Sequence, residues 1–91
     1  MRDIMQRLSS AADLPEEPIP GLPVVEIAGD RRVLIEHHKG VTEYGHQQIS
    51  VNVKFGQICI TGCNLELTQM TKAQLIVSGR IDSVCLKRRE R

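Results

Sequence analysis

The chain has 91 residues, which is room for one domain and excludes a second catalytic module. Tyr44 and Phe55 are its only aromatic residues, so the core must be built from Val, Ile and Leu. Twelve Lys and Arg against 11 Asp and Glu give a net charge of +1. This balance, with so few rings for base stacking, is not typical of nucleic-acid binding, and we expect no nucleic-acid partner.

The first 23 residues predict a helix followed by a linker. Residues 1–13 carry apolar side chains at helical spacing, typical of a short amphipathic helix that packs on the domain, frays in water, or lies on a membrane or partner. These side chains are Ile4, Met5, Leu8 and Ala12. Residues 14–23 hold all four prolines, and they predict an extended linker because proline removes a donor and disfavours helix before it.

Residues 24–86 predict a β domain. Apolar residues alternate there with a period of two in about eight short runs that are rich in Val and Ile. The connections are too short for parallel crossovers, which favours an antiparallel meander folded as a small sandwich or barrel. The run from Lys87 to Arg91 is interpreted as a basic tail, and it would add only weak attraction to anionic lipid.

Four glycines recur at nearly constant spacing. Gly29, Gly45, Gly62 and Gly79 are 16, 17 and 17 residues apart. In a folded meander each would mark a bend or a bulge. The same period also fits a short β-solenoid, so this alternative stays open.

The sequence contains none of the common catalytic or phosphate-binding motifs, and we expect no enzyme activity and no cofactor. Cys59, Cys63 and Cys85 form an odd set without metal-ligand spacing, in a chain without a secretory signal, so we expect reduced thiols, no metal and a cytoplasmic protein. A small metal or redox module built on these cysteines is an alternative that requires Cys59 to face solvent.

Candidate contact residues are charged or aromatic side chains near turns. The predicted partner-binding residues are Glu36, His38, Lys39 and Tyr44, at one turn, and Lys87, Arg88 and Arg89 in the tail. His37 and His38 are adjacent on a predicted strand, where side chains point to opposite faces, so they do not serve one site. Arg80 and Asp82 are interpreted as a surface ion pair.

The order of the short motifs, rather than any single one, resembles a known family. The sequence is similar to the YqfC/YabP family of sporulation proteins of endospore-forming bacteria over about residues 14–86, and most similar to its YqfC branch. Two positions depart from the family pattern, since His37 stands where Asn is expected and Cys63 where a polar or charged residue is usual. The motifs that carry the resemblance are Leu22-Pro23, Gly29, Ile35-Glu36-His37-His38-Lys39-Gly40-Val41, Tyr44, Ile49, Gly56-Gln57-Ile58-Cys59-Ile60-Thr61-Gly62-Cys63-Asn64-Leu65 and Leu75-Ile76-Val77-Ser78-Gly79-Arg80-Ile81.

The resemblance implies a non-enzymatic protein of the mother cell during endospore formation. It implies a structural or adaptor role for a membrane-bound sporulation protein, in the cytoplasm or at a membrane surface, and it carries over no catalytic residue. A homo-oligomer is compatible with it. The alternatives are a self-polymerising scaffold of the β-solenoid type and the cysteine-based metal or redox module.

Overall fold

A computed structural model describes residues 21–89, which form six strands and no helix. The predicted helix at 1–13 and most of the predicted linker lie outside the described residues. The all-β prediction is confirmed for the part described. The strands are β1 (Val24–Ala28), β2 (Arg32–Glu36), β3 (Val41–Tyr44), β4 (Gln48–Val53), β5 (Gly56–Met70) and β6 (Gln74–Arg88).

The strands form one open antiparallel sheet in the order β1-β2-β6-β5-β4-β3. The predicted antiparallel pairing is confirmed, and the solenoid alternative is wrong for this domain because its coils would stack strands in parallel. The sheet also differs from the predicted meander folded as a small sandwich or barrel: it is one open sheet, in which β2 pairs with β6 and β3 lies at the opposite edge. Residues 37–40 carry the chain across between β2 and β3.

There are six strands rather than about eight because two glycines lie at bends inside long strands instead of between short ones. The runs before and after Gly62 belong to β5, and those around Gly79 belong to β6. A straight strand of 15 residues spans about 46 Å. The described part of the chain extends 39 Å along its longest principal axis, which fits long strands that bend. The register between them shifts at these positions, as expected for β-bulges.

Hydrogen bonds to neighbouring hairpin turns hold both bends in place. The β3–β4 turn accepts two backbone bonds from the bend in β5, and the β1–β2 turn accepts two from the bend in β6. The bonds run from Gly62 N–H to Gln47 O (3.1 Å), Leu65 N–H to His46 O (2.8 Å), Gly79 N–H to Arg31 O (3.1 Å) and Ile81 N–H to Asp30 O (2.7 Å). Each bend is therefore fixed by a separate hairpin.

The bends divide the sheet into two halves that share one core. The β2 half contains β1, β2 and residues 64–79 of β5 and β6, and the β4 half contains β3, β4 and residues 56–62 and 80–88. Side chains from both halves form a single buried cluster, so the sheet is folded with one face, the core face, inside. The cluster is Val33, Ile35, Ile49, Val51, Val53, Ile58, Ile60, Leu65, Leu75, Val77 and Ile81.

The basic tail predicted for residues 87–91 starts inside a strand. Lys87 lies opposite Gln57 and Arg88 opposite Gly56, and Arg89 N–H donates to Phe55 O at 3.0 Å. The partner strand is long enough to pair with residues beyond Leu86, where the apolar alternation ends. This pairing fixes the positions of three basic side chains at one end of the sheet.

We expect Gly62→Ala to destabilise the protein by about 1–3 kcal/mol or more, because the new methyl group would collide with the backbone carbonyl of Arg80. Gly45→Ala is the matched control, since its methyl group would meet Gln48 O at an ordinary 3.5 Å. The measurement is the free energy of unfolding in urea for both variants. Equal stabilities would show that the close approach of the two long strands is not required.

Candidate functional site

The connection between β2 and β3, residues 37–40, binds backbone groups of three other segments. We call it the His38 loop. The His38 Nε2 lies 2.8 Å from Thr71 O, and its Nδ1 accepts the Gly40 N–H at 3.0 Å. An acceptor role at Nδ1 places the ring proton on Nε2, which donates to Thr71. Both ring nitrogens of His38 are thus engaged with backbone atoms.

Further backbone bonds tie the same loop to the rest of the sheet. His37 N–H donates to Ala73 O at 2.6 Å, and Lys39 N–H donates to Asn52 O at 2.7 Å. The loop therefore joins the β5–β6 turn to the end of β4. It contributes to the fold where the sequence had indicated a contact site.

His37 has a left-handed backbone conformation, with φ of 65°. Only Gly, Asn, Asp and His adopt this region with any frequency, so His suits a position where the resemblance led us to expect Asn. The ring Nδ1 lies 3.1 Å from Leu22 O, and the amide nitrogen of an Asn, which is also bonded to Cγ, has the same reach. The substitution is thus compatible with the loop.

The four residues predicted at one turn do not come together as one group. Glu36 ends β2 and lies opposite Gln74, next to the His38 loop that contains Lys39. Tyr44 ends β3, about 10 Å along the strand from its start, beside the β3–β4 turn. It is 56% exposed. The structure thus separates Tyr44 from Glu36, His38 and Lys39.

A cluster of basic residues lies at the end of the sheet near the β4–β5 turn. Lys87, Arg88 and Arg89 line a depression of about 300 Å³ together with Asn52, Gly56 and Gln57. Lys54 lies in the adjacent turn, and Lys39 is joined to Asn52 through its backbone. We call these five cations, Lys39, Lys54, Lys87, Arg88 and Arg89, the basic end.

Polar side chains line the floor of this depression. Gln57 Nε2 donates to Thr42 Oγ1 at 3.1 Å and lies 3.5 Å from Asn52 Oδ1. No carboxylate lines it among residues 21–89. The chemistry of the basic end therefore fits an anionic group, such as a phosphate or a carboxylate. The sequence indicated Lys87–Arg89 but not Lys54, Asn52 or Gln57, because only the hairpin pairing brings them together.

A second hollow, of about 380 Å³, lies at β1, β2 and β6. Ile27, Leu34 and Ile76 give it apolar lining, and Glu26 and Arg32 also line it. Among residues 21–89, no Ser, Thr, Cys, His or Lys lines it. An apolar side chain of a partner is the kind of group that it can accept.

The cysteines do not form a centre in the described part of the chain. Cys59 is 4% exposed and its Sγ accepts the Ser50 hydroxyl at 3.4 Å, whereas the redox alternative required it to face solvent. Within residues 21–89 no three His, Cys, Asp or Glu side chains are grouped closely enough to hold a metal ion. These contacts give the metal or redox alternative no support.

Arg80 and Asp82 form the predicted surface pair, with 3.4 Å between Nε and Oδ1. The hydrogen bond with Asp82, followed by the charge interaction with Cys63, raises the pKa of the Arg80 guanidinium. Arg80 also donates to Cys63 Sγ at 3.2 Å. At Cys63, where the resemblance led us to expect a polar or charged residue, the thiol serves as an acceptor for Arg80.

The sequence profile of the YabP family matches residues 23–91 of this chain, which include all six strands and the basic end. The chain belongs to the YabP family. It is also similar to a protein of Bacillus subtilis (strain 168) that carries the description "Uncharacterized protein YqfC", with 26% identity over 77 residues. The match spans 85% of this chain and 83% of the relative. The family assignment made from the order of the motifs is confirmed.

No solved structure matches this member of the YabP family. Among residues 21–89 there is also no helix with the length and apolar character needed to cross a bilayer.

We expect His38→Ala to lower the free energy of unfolding by about 1–3 kcal/mol, because Gly40 N–H and Thr71 O both lose their side-chain partner. Lys39→Ala serves as the control. The hydrogen bond from Lys39 to Asn52 O is made by the backbone and survives the substitution, so the free energy of unfolding should change by less than about 0.5 kcal/mol. Denaturant unfolding of both variants gives the comparison. A His38→Ala protein as stable as Lys39→Ala would contradict a structural role for the ring.

Proposed function

We propose that this protein is a non-enzymatic sporulation protein that acts in the mother cell during endospore formation. In this proposal it is a structural or adaptor module for a membrane-bound sporulation protein. The observation that supports it best is the family membership over residues 23–91, together with a basic end built on the same domain. The resemblance of the motif order to sporulation proteins gives the cellular setting.

The basic end supports a place at the cytoplasmic face of a membrane. The cytoplasmic leaflet is anionic, and each Lys or Arg near it contributes about 1 kcal/mol of attraction. Lys87, Arg88 and Arg89 are all exposed, and pairing to β5 holds them at one end of the sheet. Such a cluster is too weak to anchor the protein alone, but it orients a domain that a membrane protein also binds.

The arrangement of titratable side chains supports an adaptor rather than an enzyme. His38, whose imidazole is the side-chain type used most often in acid–base catalysis, has both ring nitrogens bonded to backbone atoms. The apolar hollow at β1, β2 and β6 offers a place for a partner's side chain instead. The proposed activity is therefore protein–protein contact.

Replacing Lys87 and Arg89 together with Glu should move the protein away from the membrane. The loss of two cations removes about 2 kcal/mol of attraction, roughly a 30-fold weaker partition, before the repulsion of the new carboxylates is counted. The measurement is the membrane-associated fraction of a fluorescent fusion in sporulating mother cells, with co-purification of the membrane-bound partner. Arg31→Glu/Lys72→Glu makes the same change of charge outside the basic end and should leave both readouts unchanged.

The proposal itself is tested by deleting the gene in an endospore-forming host. We expect fewer heat-resistant spores, with normal vegetative growth, and recovery when the chain is expressed in the mother cell alone. Recovery only by expression in the forespore would overturn the mother-cell assignment. A normal spore yield and no membrane protein captured by the full chain would overturn the adaptor role.

A further inference from the structure

The last strand has an unpaired edge over its second half. β2 pairs with β6 only from Arg32 opposite Ser78 to Glu36 opposite Gln74. Beyond the bend, β6 pairs with β5 on one side, and no strand among residues 21–89 pairs with its other side. We call residues 83–88 the β6 edge.

Backbone geometry shows which groups point outward from this edge. Arg89 N–H bonds to Phe55 O, so every second residue before it, Lys87, Cys85 and Ser83, directs its backbone groups toward β5. Val84 and Leu86 therefore present their N–H and C=O groups to the outside. Leu86 is 60% exposed although it lies opposite the buried Ile58 on the core face.

The other edges are protected in ways that this edge is not. β1 has five residues and follows Pro23, and β3 has four residues with a register shift near its start. The second half of β5 shifts register between Cys63 and Glu66 and again between Leu67 and Gln69. Short strands, proline and bulges all discourage pairing with another chain. The β6 edge keeps an unbroken register over six residues.

We propose that the β6 edge pairs with the same edge of a second copy of this chain, antiparallel and about a two-fold axis at Cys85. The two β4 halves then form one continuous eight-stranded sheet. This self-association rests on the edge alone and does not depend on the sporulation role.

The sequence of the edge is complementary to itself in this register. Val84 lies opposite Leu86 of the second copy, so each covers an apolar side chain on the core face of the other. The outward N–H and C=O groups of Val84 and Leu86 form the hydrogen bonds between the two copies. Ser83 lies opposite Lys87 of the second copy, and Asp82 comes beside Arg88 of the second copy, with opposite charge.

The neighbouring registers of the same parity are less favourable. With the axis at Val84, Leu86 would lie opposite Asp82 of the second copy. With the axis at Leu86, Val84 would lie opposite Arg88 of the second copy. Both set an apolar side chain against a charged one. Charge and apolar pairing therefore select the axis at Cys85.

The proposed axis can be tested with one thiol. Cys85 and Cys85 of the second copy form a non-hydrogen-bonded pair, in which the Cα atoms lie about 4.5 Å apart. A disulfide accepts Cα distances from about 4.4 to 6.8 Å. In Cys59→Ser/Cys63→Ser, diamide should take two electrons and two protons from two Cys85 thiols and leave a covalent dimer. The matched control, Cys59→Ser/Cys63→Ser/Cys85→Ser/Ser83→Cys, moves the thiol two residues along the same face, where the two sulfurs lie far apart.

Sedimentation of the full chain under reducing conditions measures the association without the cross-link. We expect a reversible dimer that Arg88→Glu weakens by about tenfold and that Asp82→Lys/Arg88→Glu restores, because the exchanged charges again attract each other. Leu86→Lys should weaken it by a similar factor. Dimer cross-linking at least tenfold faster through Cys85 than in the control supports the two-fold axis.

A monomer up to millimolar concentration, with equal cross-linking rates for both thiol positions, would overturn the proposal. A monomer would also result if residues 1–20 of the chain cover the edge. With either cause, that result would exclude a second copy as the partner of the β6 edge. Dimers whose cross-linking does not prefer Cys85, and which Leu86→Lys leaves unchanged, would place the interface on another surface and would also overturn it.

Discussion

The close approach of the two long strands where they bend is the constraint on which the rest of the structure depends. At Gly62 a methyl group would strike the carbonyl of Arg80, and at Gly79 it would come within 2.6 Å of Asn64 O. Gly79 also has φ of 136°, which L side chains rarely adopt. Without the bends the core faces of the two halves would not meet, and a single-layer sheet has nothing to bury Ile35 or Ile60 against. The aliphatic core follows from two glycines.

The regular spacing of the glycines reflects this arrangement. Gly29 and Gly45 lie at hairpin turns, and Gly62 and Gly79 lie at bends that bond to those turns. A hairpin turn can bond to a bend only if the strand that leads to the turn and the strand that leads to the bend have matched lengths. This matching gives a nearly constant number of residues between successive glycines. The regular glycine spacing thus comes from two hairpin turns that are hydrogen-bonded to two bends, rather than from a repeated solenoid coil.

Local patterns predicted much of this fold, and the failures occur where distant pairing decides. The alternation around Ile58 and Ile60, and the turns at Gly29 and Gly45, were enough to predict antiparallel strands. A glycine between two alternating runs looks the same whether the chain turns back or continues through a bulge, so β5 and β6 were each divided. The pairing of Lys87 with Gln57 has no local signal at all, because basic residues after an alternating run are also typical of a tail.

The candidate site shows the same division. Glu36, His38 and Lys39 stood out because charged side chains near a glycine are commonly exposed, yet His38 serves the fold through Thr71 O and Gly40 N–H. The basic end was predicted only in part. Lys87–Arg89 are adjacent in sequence and stood out, whereas Lys54 and Gln57 come close to them only through the pairing of the strands. A contact surface that strand pairing brings together cannot be predicted from the sequence until the register of the strands is known.

The unpaired edges are a consequence of the bends rather than an addition to them. When β5 and β6 pass from one half to the other, each keeps a partner on one side and loses it on the other, so every bent pair creates two new edges. In β5 the edge is broken by register shifts after Cys63 and after Leu67. In β6 the shift lies before Ser83 and the edge beyond it stays regular. The register shifts thus protect the β5 edge but not the β6 edge, which carries Leu86 together with Lys87 and Arg88 of the basic end. Contacts with a partner are therefore best sought at that end of the sheet, where unpaired backbone groups, exposed apolar surface and positive charge lie together.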